Sequence, residues 1–105
     1  MIRKMGETVY KYTLRNGEIF VHEGMVIEQG SHKNVYFKTK GLTERYPKKT
    51  EFGIVHSSGP SLWLSDRDDE LAKCIFVEYE ERCLTDLQKQ IERKLQLIKA
   101  LKGDS

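Results

Sequence analysis

"SDRDDELAKCIFVEYEERCLTDLQKQIERKLQLIKALKG", residues 65 to 103, determines the architecture of this chain. It opens with a helix start signal, because Ser65 or Asp66 can cap a helix and the acids at 68–70 suit its N-terminal end. No glycine or proline interrupts the stretch until Gly103, which supplies a stop. The sequence therefore predicts one long helix over residues 67–102.

The apolar pattern changes along this helix. Its first part carries a broad apolar face, suited to lying on a sheet, which consists of Leu71, Cys74, Ile75, Phe76, Val77 and Tyr79. Its second part carries a narrow seam whose members recur at steps of three and four residues, as in a coiled coil. The seam consists of Leu84, Leu87, Ile91, Leu95 and Ile98, with Leu97 and Leu101 beside it.

The length of the helix predicts self-association. At about 1.5 Å per residue it would be roughly 50 Å long, whereas a body of about 65 residues is only about 25–30 Å across. The seam would then face water unless a second copy or another partner covered it. Leaving apolar surface exposed to water costs about 25 cal/mol of free energy per Å². We expect a homodimer through the five seam residues. The alternative is a break near Cys83, because residues 85–88 fit a capping box and the chain could fold back as two helices.

The first 66 residues read as an antiparallel sheet. Alternation and turn residues predict strands at 8–14, 18–28, 34–39, 51–55 and 61–64, with 40–49 as a loop or irregular edge. Asn16-Gly17 is a strong hairpin signal, and Gly24 predicts a bulge or bend. The expected fold is α+β: a curled antiparallel sheet of four or five short strands, a small partly open barrel, in residues 1–66. One long C-terminal helix follows in residues 67–105 of the same domain.

Composition sets outer limits on function. The chain has 105 residues, of which 38% are hydrophobic and 32% charged, with a net charge of +2. Such a small charge gives no argument for nucleic acid by itself. No apolar run is long enough to span a bilayer, and no secretory signal follows the charged start, so a cytoplasmic location is expected.

The densest positive charge lies in "YFKTKGLTERYPKK", residues 36 to 49. One interpretation is a binding surface in which basic side chains contact a polyanion and an aromatic ring stacks on a base. Its candidate residues are Tyr36, Lys38, Lys40, Arg45, Tyr46, Lys48 and Lys49, within segment 32–49. The alternative is that lysines protect an exposed edge strand from aggregation while Phe37 and Tyr46 pack inward.

Catalytic and metal motifs give no positive signal. The histidines His22, His32 and His56 form no spaced metal cluster, and Cys74 and Cys83, nine residues apart, face opposite sides of the helix. We expect partly buried reduced thiols, no enzyme activity, no metal and no cofactor. Trp63 is expected in the core under the helix rather than in a binding site.

Three stretches carry a family resemblance: "KYTLRNGE" (11–18), "KKTEFGIV" (48–55) and "DDELAKCIFVEYEERCLTDLQKQIE" (68–92). Over roughly residues 8 to 101 the chain resembles small, mostly uncharacterised proteins encoded by phages and prophages of low-GC Gram-positive bacteria. Such genes commonly encode accessory proteins, and some encode inhibitors of host defence, including anti-CRISPR proteins. The resemblance transfers no functional residue.

The expected function is therefore that of a non-enzymatic phage or prophage accessory protein. It would bind and inhibit a host macromolecule in the host cytoplasm, and a CRISPR effector nuclease is the most concrete target. Many such inhibitors mimic DNA and are strongly acidic, which this chain is not. The alternative is a small nucleic-acid-binding protein that uses the basic-aromatic segment 32–49.

Overall fold

A computed structural model describes residues 4–29, 31–57 and 59–103. It contains a five-stranded antiparallel sheet followed by one long helix, which confirms the predicted α+β fold. The elements are β1 (Lys4–Arg15), β2 (Glu18–Gln29), β3 (His32–Phe37), β4 (Leu42–Arg45), a 3₁₀ turn (Lys49–Glu51), β5 (Ser61–Leu64) and α1 (Asp69–Leu101). The strand order is β4-β3-β2-β1-β5, so β4 and β5 form the two edges and the sheet does not close.

The first hairpin forms as the sequence predicts. Asn16 and Gly17 both have positive φ, 52° and 79°, which the tight two-residue turn between β1 and β2 requires. Arg15 pairs with Glu18 directly across that turn. Both strands are 12 residues long, so two of the five strands are longer than expected.

The sheet is strongly curled. Lys11 in β1 and Glu44 in β4 are separated by two strands, yet the Lys11 Nζ atom lies 2.6 Å from the Glu44 Oε1 atom. Three strand spacings in a flat sheet would hold their backbones about 14 Å apart, farther than two such side chains bridge comfortably. The ion pair therefore forms because the sheet bends toward the face that carries it.

The core is divided between the two faces of the sheet. The strand cluster lies on the curled-in face and consists of Val9, Val26, Val35, Phe37 and Trp63. The helix-side cluster lies on the other face and consists of Tyr12, Leu62, Leu64, Ala72 and Phe76. Alternation along β1 and β5 assigns neighbouring residues to opposite clusters, because successive side chains of a strand point to opposite faces.

Trp63 is buried, but the prediction that it lies under the helix is wrong. It pairs with Lys11, while Leu62 and Leu64 pair with Tyr12 and Tyr10. Its ring therefore packs in the strand cluster, with its centroid 5.9 Å from that of Phe37. Trp63 therefore packs on the curled-in face, whereas its neighbours Leu62 and Leu64 pack against α1.

Gly24 serves close packing and does not mark a bulge. The pairing of β2 with β1 continues through Val9 and Gly24, and the register shift lies farther along, between Met5 and Thr8. A Cβ atom built at Gly24 would lie 2.3 Å from Val35 Cγ1 and 2.9 Å from Phe37 Cε1. Only glycine leaves room for these two side chains to cross the middle of β2.

The fourth strand differs from the prediction. Residues 42–45, expected as loop or irregular edge, form β4 and pair with β3, after a turn that ends at Gly41 with φ +63°. Residues 51–55, expected as a strand, contain the end of the 3₁₀ turn and Gly53 at φ +77°. Residues 51–55 pair with β5 only through an isolated bridge from Phe52 to Trp63. The positive φ at Gly53 prevents more extensive pairing, because it turns the chain out of extended geometry.

The helix begins two residues later than expected, and its cap is neither Ser65 nor Asp66. Asp68 is the N-cap residue, and its carboxylate accepts a hydrogen bond of 3.0 Å from the Leu71 amide. The buried Tyr12 hydroxyl joins this end of α1 to the sheet. It donates to Asp69 Oδ1 at 2.8 Å and accepts from the Asp68 amide at 3.0 Å.

α1 is continuous over 33 residues, so the alternative with two helices is wrong. The Thr85 hydroxyl donates to the Glu81 carbonyl at 3.0 Å instead of capping a new helix, and Gly103 ends the helix at φ +62°. The molecule measures 72 × 29 × 22 Å, and its radius of gyration is 19.8 Å, against about 13 Å for a compact chain of this length. The helix therefore extends far beyond the sheet, as its length predicts.

Candidate binding surfaces

The basic side chains of the predicted binding segment lie along the β4 edge of the sheet. We call Lys38, Lys40, Arg45, Lys48 and Lys49 the cationic rim. Lys38 and Lys40 lie in the turn between β3 and β4, whereas Arg45 lies at the far end of β4, opposite Asn34. Lys48 and Lys49 follow at the start of the 3₁₀ turn. The rim is thus an extended edge with charge at both ends, and not one compact site.

The charge of the rim is uncompensated. Within the described residues, none of its five members has a carboxylate oxygen within 4 Å. Glu44 is the only acid between them, and it is turned inward to pair with Lys11. The single intervening negative charge is therefore already neutralised by a lysine of β1 on the curled-in face.

The aromatic residues of the segment differ in availability. Tyr36 is 39% exposed and pairs in register with Met25 on the outer face of β3, which is also 39% exposed. Phe37 is fully buried, and half-buried Tyr46 packs on Phe52 with ring centroids 5.9 Å apart. Phe37 and Tyr46 thus pack inward, as the edge-protection interpretation expects. Tyr36 is the ring that stays open to a ligand.

A shallow depression lies at the Arg45 end of the rim. Its volume is about 600 Å³, and its lining includes His32, Lys33, Asn34, Arg45 and Tyr46. The Lys33 ammonium lies 5.0 Å from the Tyr46 ring centroid and 3.8 Å from a Glu28 carboxylate oxygen. The depression combines positive charge with an aromatic wall, which suits an anionic ligand better than a neutral one.

Sequence reasoning missed the electrostatic role of the curled-in face. His22 lies against Phe37 there, and burial, followed by the nearby charges of Lys40 and Lys11, lowers the pKa of its imidazole. Lys11 lies 5.4 Å from the Trp63 ring centroid, and Lys40 lies 5.5 Å from that of Phe37. In the sequence, strand alternation indicates that Lys11 shares a face with Val9. The curl that brings these charges together, however, depends on the folded sheet.

The seam of α1 faces solvent in this chain. Its five predicted members have exposed fractions between 47% and 60%. They lie beyond the residues that dock on the sheet, where Ala72 and Phe76 are buried and Ile75 is half-buried. The seam is therefore an unpartnered apolar surface, which is the condition from which self-association was predicted.

An apolar groove lies where α1 leaves the sheet. Its volume is about 690 Å³, and it lies between the β1–β2 hairpin tip and the helix, lined by Leu14, Ile19, Phe76, Val77, Glu80 and Leu84 among others. Leu84 belongs to both the groove and the seam. The two surfaces therefore form one continuous apolar strip.

The residues considered for catalysis lie apart. His22 is in β2, His32 begins β3, and His56 Nε2 lies 3.8 Å from a Glu51 carboxylate oxygen. Cys74 is exposed, contrary to the expectation of partly buried thiols, and Cys83 is half-buried beside Tyr79. A hydrogen bond to Cys83 and burial raise the pKa of the Tyr79 hydroxyl.

The described residues provide neither a metal-binding group nor a membrane-crossing helix. No group of three or more histidine, cysteine or acidic side chains is placed to hold a metal ion in residues 4–29, 31–57 and 59–103. In the same part of the chain, α1 lacks the long apolar window that a membrane-crossing helix needs.

Comparison with known proteins gives no relative from which a function could be taken. No protein-family model, curated protein sequence or solved structure matches this chain. These comparisons therefore contribute no argument about its function.

Proposed function

We propose that this chain is a non-enzymatic binding protein that attaches to an acidic face of a host macromolecule and blocks it. The uncompensated charge of the cationic rim carries this proposal. Five basic side chains stand along one sheet edge without a carboxylate partner in the described structure, while the adjacent acid is neutralised by Lys11. Charge held in this way raises the association rate with an acidic partner and gives selectivity against basic ones.

A macromolecular partner fits the rim better than a small ligand. The rim extends from the β3–β4 turn to the end of β4, and exposed Tyr36 and Met25 lie on the strands beside it. Tyrosine, methionine and arginine are enriched in protein interfaces, with charged residues at their margins. The protein would act by steric occlusion in the cytoplasm of its host cell, and its resemblance to phage and prophage proteins makes a CRISPR effector nuclease the first target to test.

The test is a cleavage assay with purified effector and guide RNA, at increasing concentrations of this protein. We expect inhibition that saturates at one molecule of this protein per effector. Arg45→Glu should raise the concentration needed for half-inhibition at least tenfold. Arg15→Glu is the matched control, because Arg15 is also exposed and also ends a strand, yet it lies at the tip of the β1–β2 hairpin and not on β4 or the turns that flank it. Equal inhibition by the two variants would show that the rim is not the binding surface.

A nucleic-acid-binding protein is the second candidate, and the open ring of Tyr36 beside the rim favours it. Base stacking on such a ring contributes about 1–3 kcal/mol per base, and phosphate contacts make the affinity fall steeply with salt. A titration with single- and double-stranded oligonucleotides at 50 and 200 mM salt separates the candidates. Binding at low salt that collapses at high salt supports nucleic acid, and absence of binding at low salt removes it.

A further inference from the structure

The seam and the groove together indicate how two copies of this chain associate. We propose an antiparallel dimer in which the C-terminal end of each α1 lies in the groove of the other copy, between its hairpin tip and its helix. This inference does not depend on the proposed host target. The partner of the apolar strip is a second copy of the chain, whose α1 runs antiparallel to the first and contacts the residues of the groove.

The apolar strip is continuous from the groove to the end of the seam. Val77 in the groove is followed at intervals of seven residues by Leu84, Ile91 and Ile98. A strict seven-residue repeat keeps one edge of a helix facing a neighbouring helix that winds around it. The repeat starts inside the groove, so a partner helix that follows the seam enters the groove as well.

The charge along the exposed helix favours an antiparallel pair over a parallel one. Residues 78–86 carry a net charge of −3, whereas residues 87–102 carry a net charge of +4. A parallel pair would align like charges, including Glu80 with Glu80 and Lys94 with Lys94 next to the seam. An antiparallel pair aligns the acidic segment of one copy with the basic segment of the other, and opposite charge at such flanking positions sets helix orientation.

The area that a stable dimer needs also favours an interface that includes the groove. The strip from Val77 to Lys102 is about 39 Å long at 1.5 Å per residue and about 12 Å wide. Two such strips cover roughly 900 Å², slightly less than the about 1,000 Å² expected of a specific interface. Filling both grooves of a symmetric pair supplies the difference, so an arrangement that covers seam and groove together is favoured over one that covers the seam alone.

The register follows from these arguments. With the two-fold axis near residue 89, Ile98 of the second copy lies opposite Glu80 and its Leu101 lies opposite Val77. Leu101 has the most exposed large apolar side chain of the described residues, at 76%, and the groove would cover it. Lys102 of the second copy then lies within about one and a half helical turns of Glu80 and Glu81, the acids that line the groove.

Orientation is tested by distance in the full-length protein. A spin label is attached through Lys102→Cys, on a background of Cys74→Ser and Cys83→Ser that is first shown to keep the helix content and the association state. Antiparallel pairing aligns residue 102 with residue 76 of the second copy, so we expect a label separation of about 40 Å at 1.5 Å per residue. A separation below about 20 Å would mean a parallel pair and would overturn the proposal.

Occupation of the groove is tested by two substitutions on one strand. Ile19 lines the groove and is 37% exposed, whereas Phe20 is 43% exposed but points to the opposite face and does not line it. We expect Ile19→Lys to raise the dimer dissociation constant at least tenfold, because it removes apolar contact and repels the basic helix end. Phe20→Lys should change it less than threefold.

The measurement is sedimentation equilibrium over a range of protein concentrations, after circular dichroism has shown that both variants are folded. A wild-type dimer weakened by Ile19→Lys alone supports the proposal. A wild-type protein that stays monomeric at 100 μM, one that forms tetramers, or equal dissociation constants for the two variants would each overturn it.

Discussion

The close approach around Gly24 gives the sharpest prediction of stability. In Gly24→Ala the new methyl group would stand 2.3 Å from Val35 Cγ1 and 2.9 Å from Phe37 Cε1. Carbon atoms prefer about 3.5–4.0 Å, so Val35 would have to move by more than about 1 Å. Val35 and Phe37 are both fully buried, and Phe37 also packs on Trp63, which leaves no open space for the movement.

The expected destabilisation is about 2 kcal/mol. Overpacking a filled core costs about 1–3 kcal/mol, and contacts this short place Gly24→Ala near the upper end of that range. Replacing glycine by alanine also restricts the unfolded chain, which offsets about 0.5–1 kcal/mol. With an unfolding entropy of about 2.1 cal/mol/K per residue, the melting temperature of this chain should fall by about 9 °C.

The assay is thermal and denaturant unfolding, followed by circular dichroism and by the fluorescence of Trp63, which packs in the same cluster. All variants are compared at one protomer concentration, because dimerisation would make the midpoint concentration-dependent. Glu23→Ala is the control, since Glu23 is the exposed neighbour in β2, and it should change stability by less than about 0.5 kcal/mol.

A double-mutant cycle identifies the cause. Val35→Ala removes the Cγ1 atom and leaves a cavity that the methyl group of Gly24→Ala can partly fill. The double variant should therefore be more stable than the sum of the single effects implies, by about 1 kcal/mol or more. Strict additivity, or a Gly24→Ala protein as stable as the wild type, would refute the packing argument.

Three further predictions concern the docking of α1. Tyr12→Phe removes the hydroxyl that bonds Asp69 and the Asp68 amide, and we expect a loss of about 1–2 kcal/mol in denaturant unfolding, with little effect of Tyr10→Phe. Phe76→Ala opens the helix-side cluster and should cost about 3–5 kcal/mol in the same assay. Hydrogen bonds from Arg67 and then Tyr12 lower the pKa of the Asp69 carboxyl. Its contribution is therefore present above about pH 4, the usual aspartate value, and is lost as the pH falls through the lowered pKa. Asp69→Asn should flatten the loss of stability below pH 4, and an unchanged acid profile would contradict this.

The sequence predicts the elements whose signals are local. Asn16-Gly17 supplies the two positive φ values of the hairpin, and an uninterrupted run of helix formers up to Gly103 predicts a continuous α1. The overhang follows from length alone, because a rise of about 1.5 Å per residue leaves no alternative once the helix is continuous. These features need no knowledge of tertiary contacts.

The features that the sequence missed depend on partners that are distant along the chain. Residues 42–45 become a strand because β3 offers a free edge, whereas the more apolar stretch at 51–55 is turned away at Gly53. Trp63 and Leu62 look interchangeable in the sequence, and the pairing of β5 with β1 decides which of them meets the helix.

The candidate surfaces were predicted in part. Lys38, Lys40 and Arg45 were identified by composition, but their separation along β4 and the inward turn of Glu44 required the folded sheet. The groove beside Ile19 was not predicted, because it lies between two elements that are more than fifty residues apart in the chain. The residues of the seam could be named in advance as one continuous surface, since its periodicity is a property of one helix.

The attachment of α1 through Tyr12 and Phe76 also makes the helix a lever. Its free end at Leu101 lies about 38 Å beyond Phe76 at 1.5 Å per residue, so a tilt of 10° at the attachment moves that end by roughly 7 Å. A small change in the packing beneath the first two turns of the helix therefore displaces its free end by more than the length of a typical side chain. The direction of the whole helix is therefore set by the few side chains that pack at its base, among them the Tyr12 hydroxyl and the Phe76 ring.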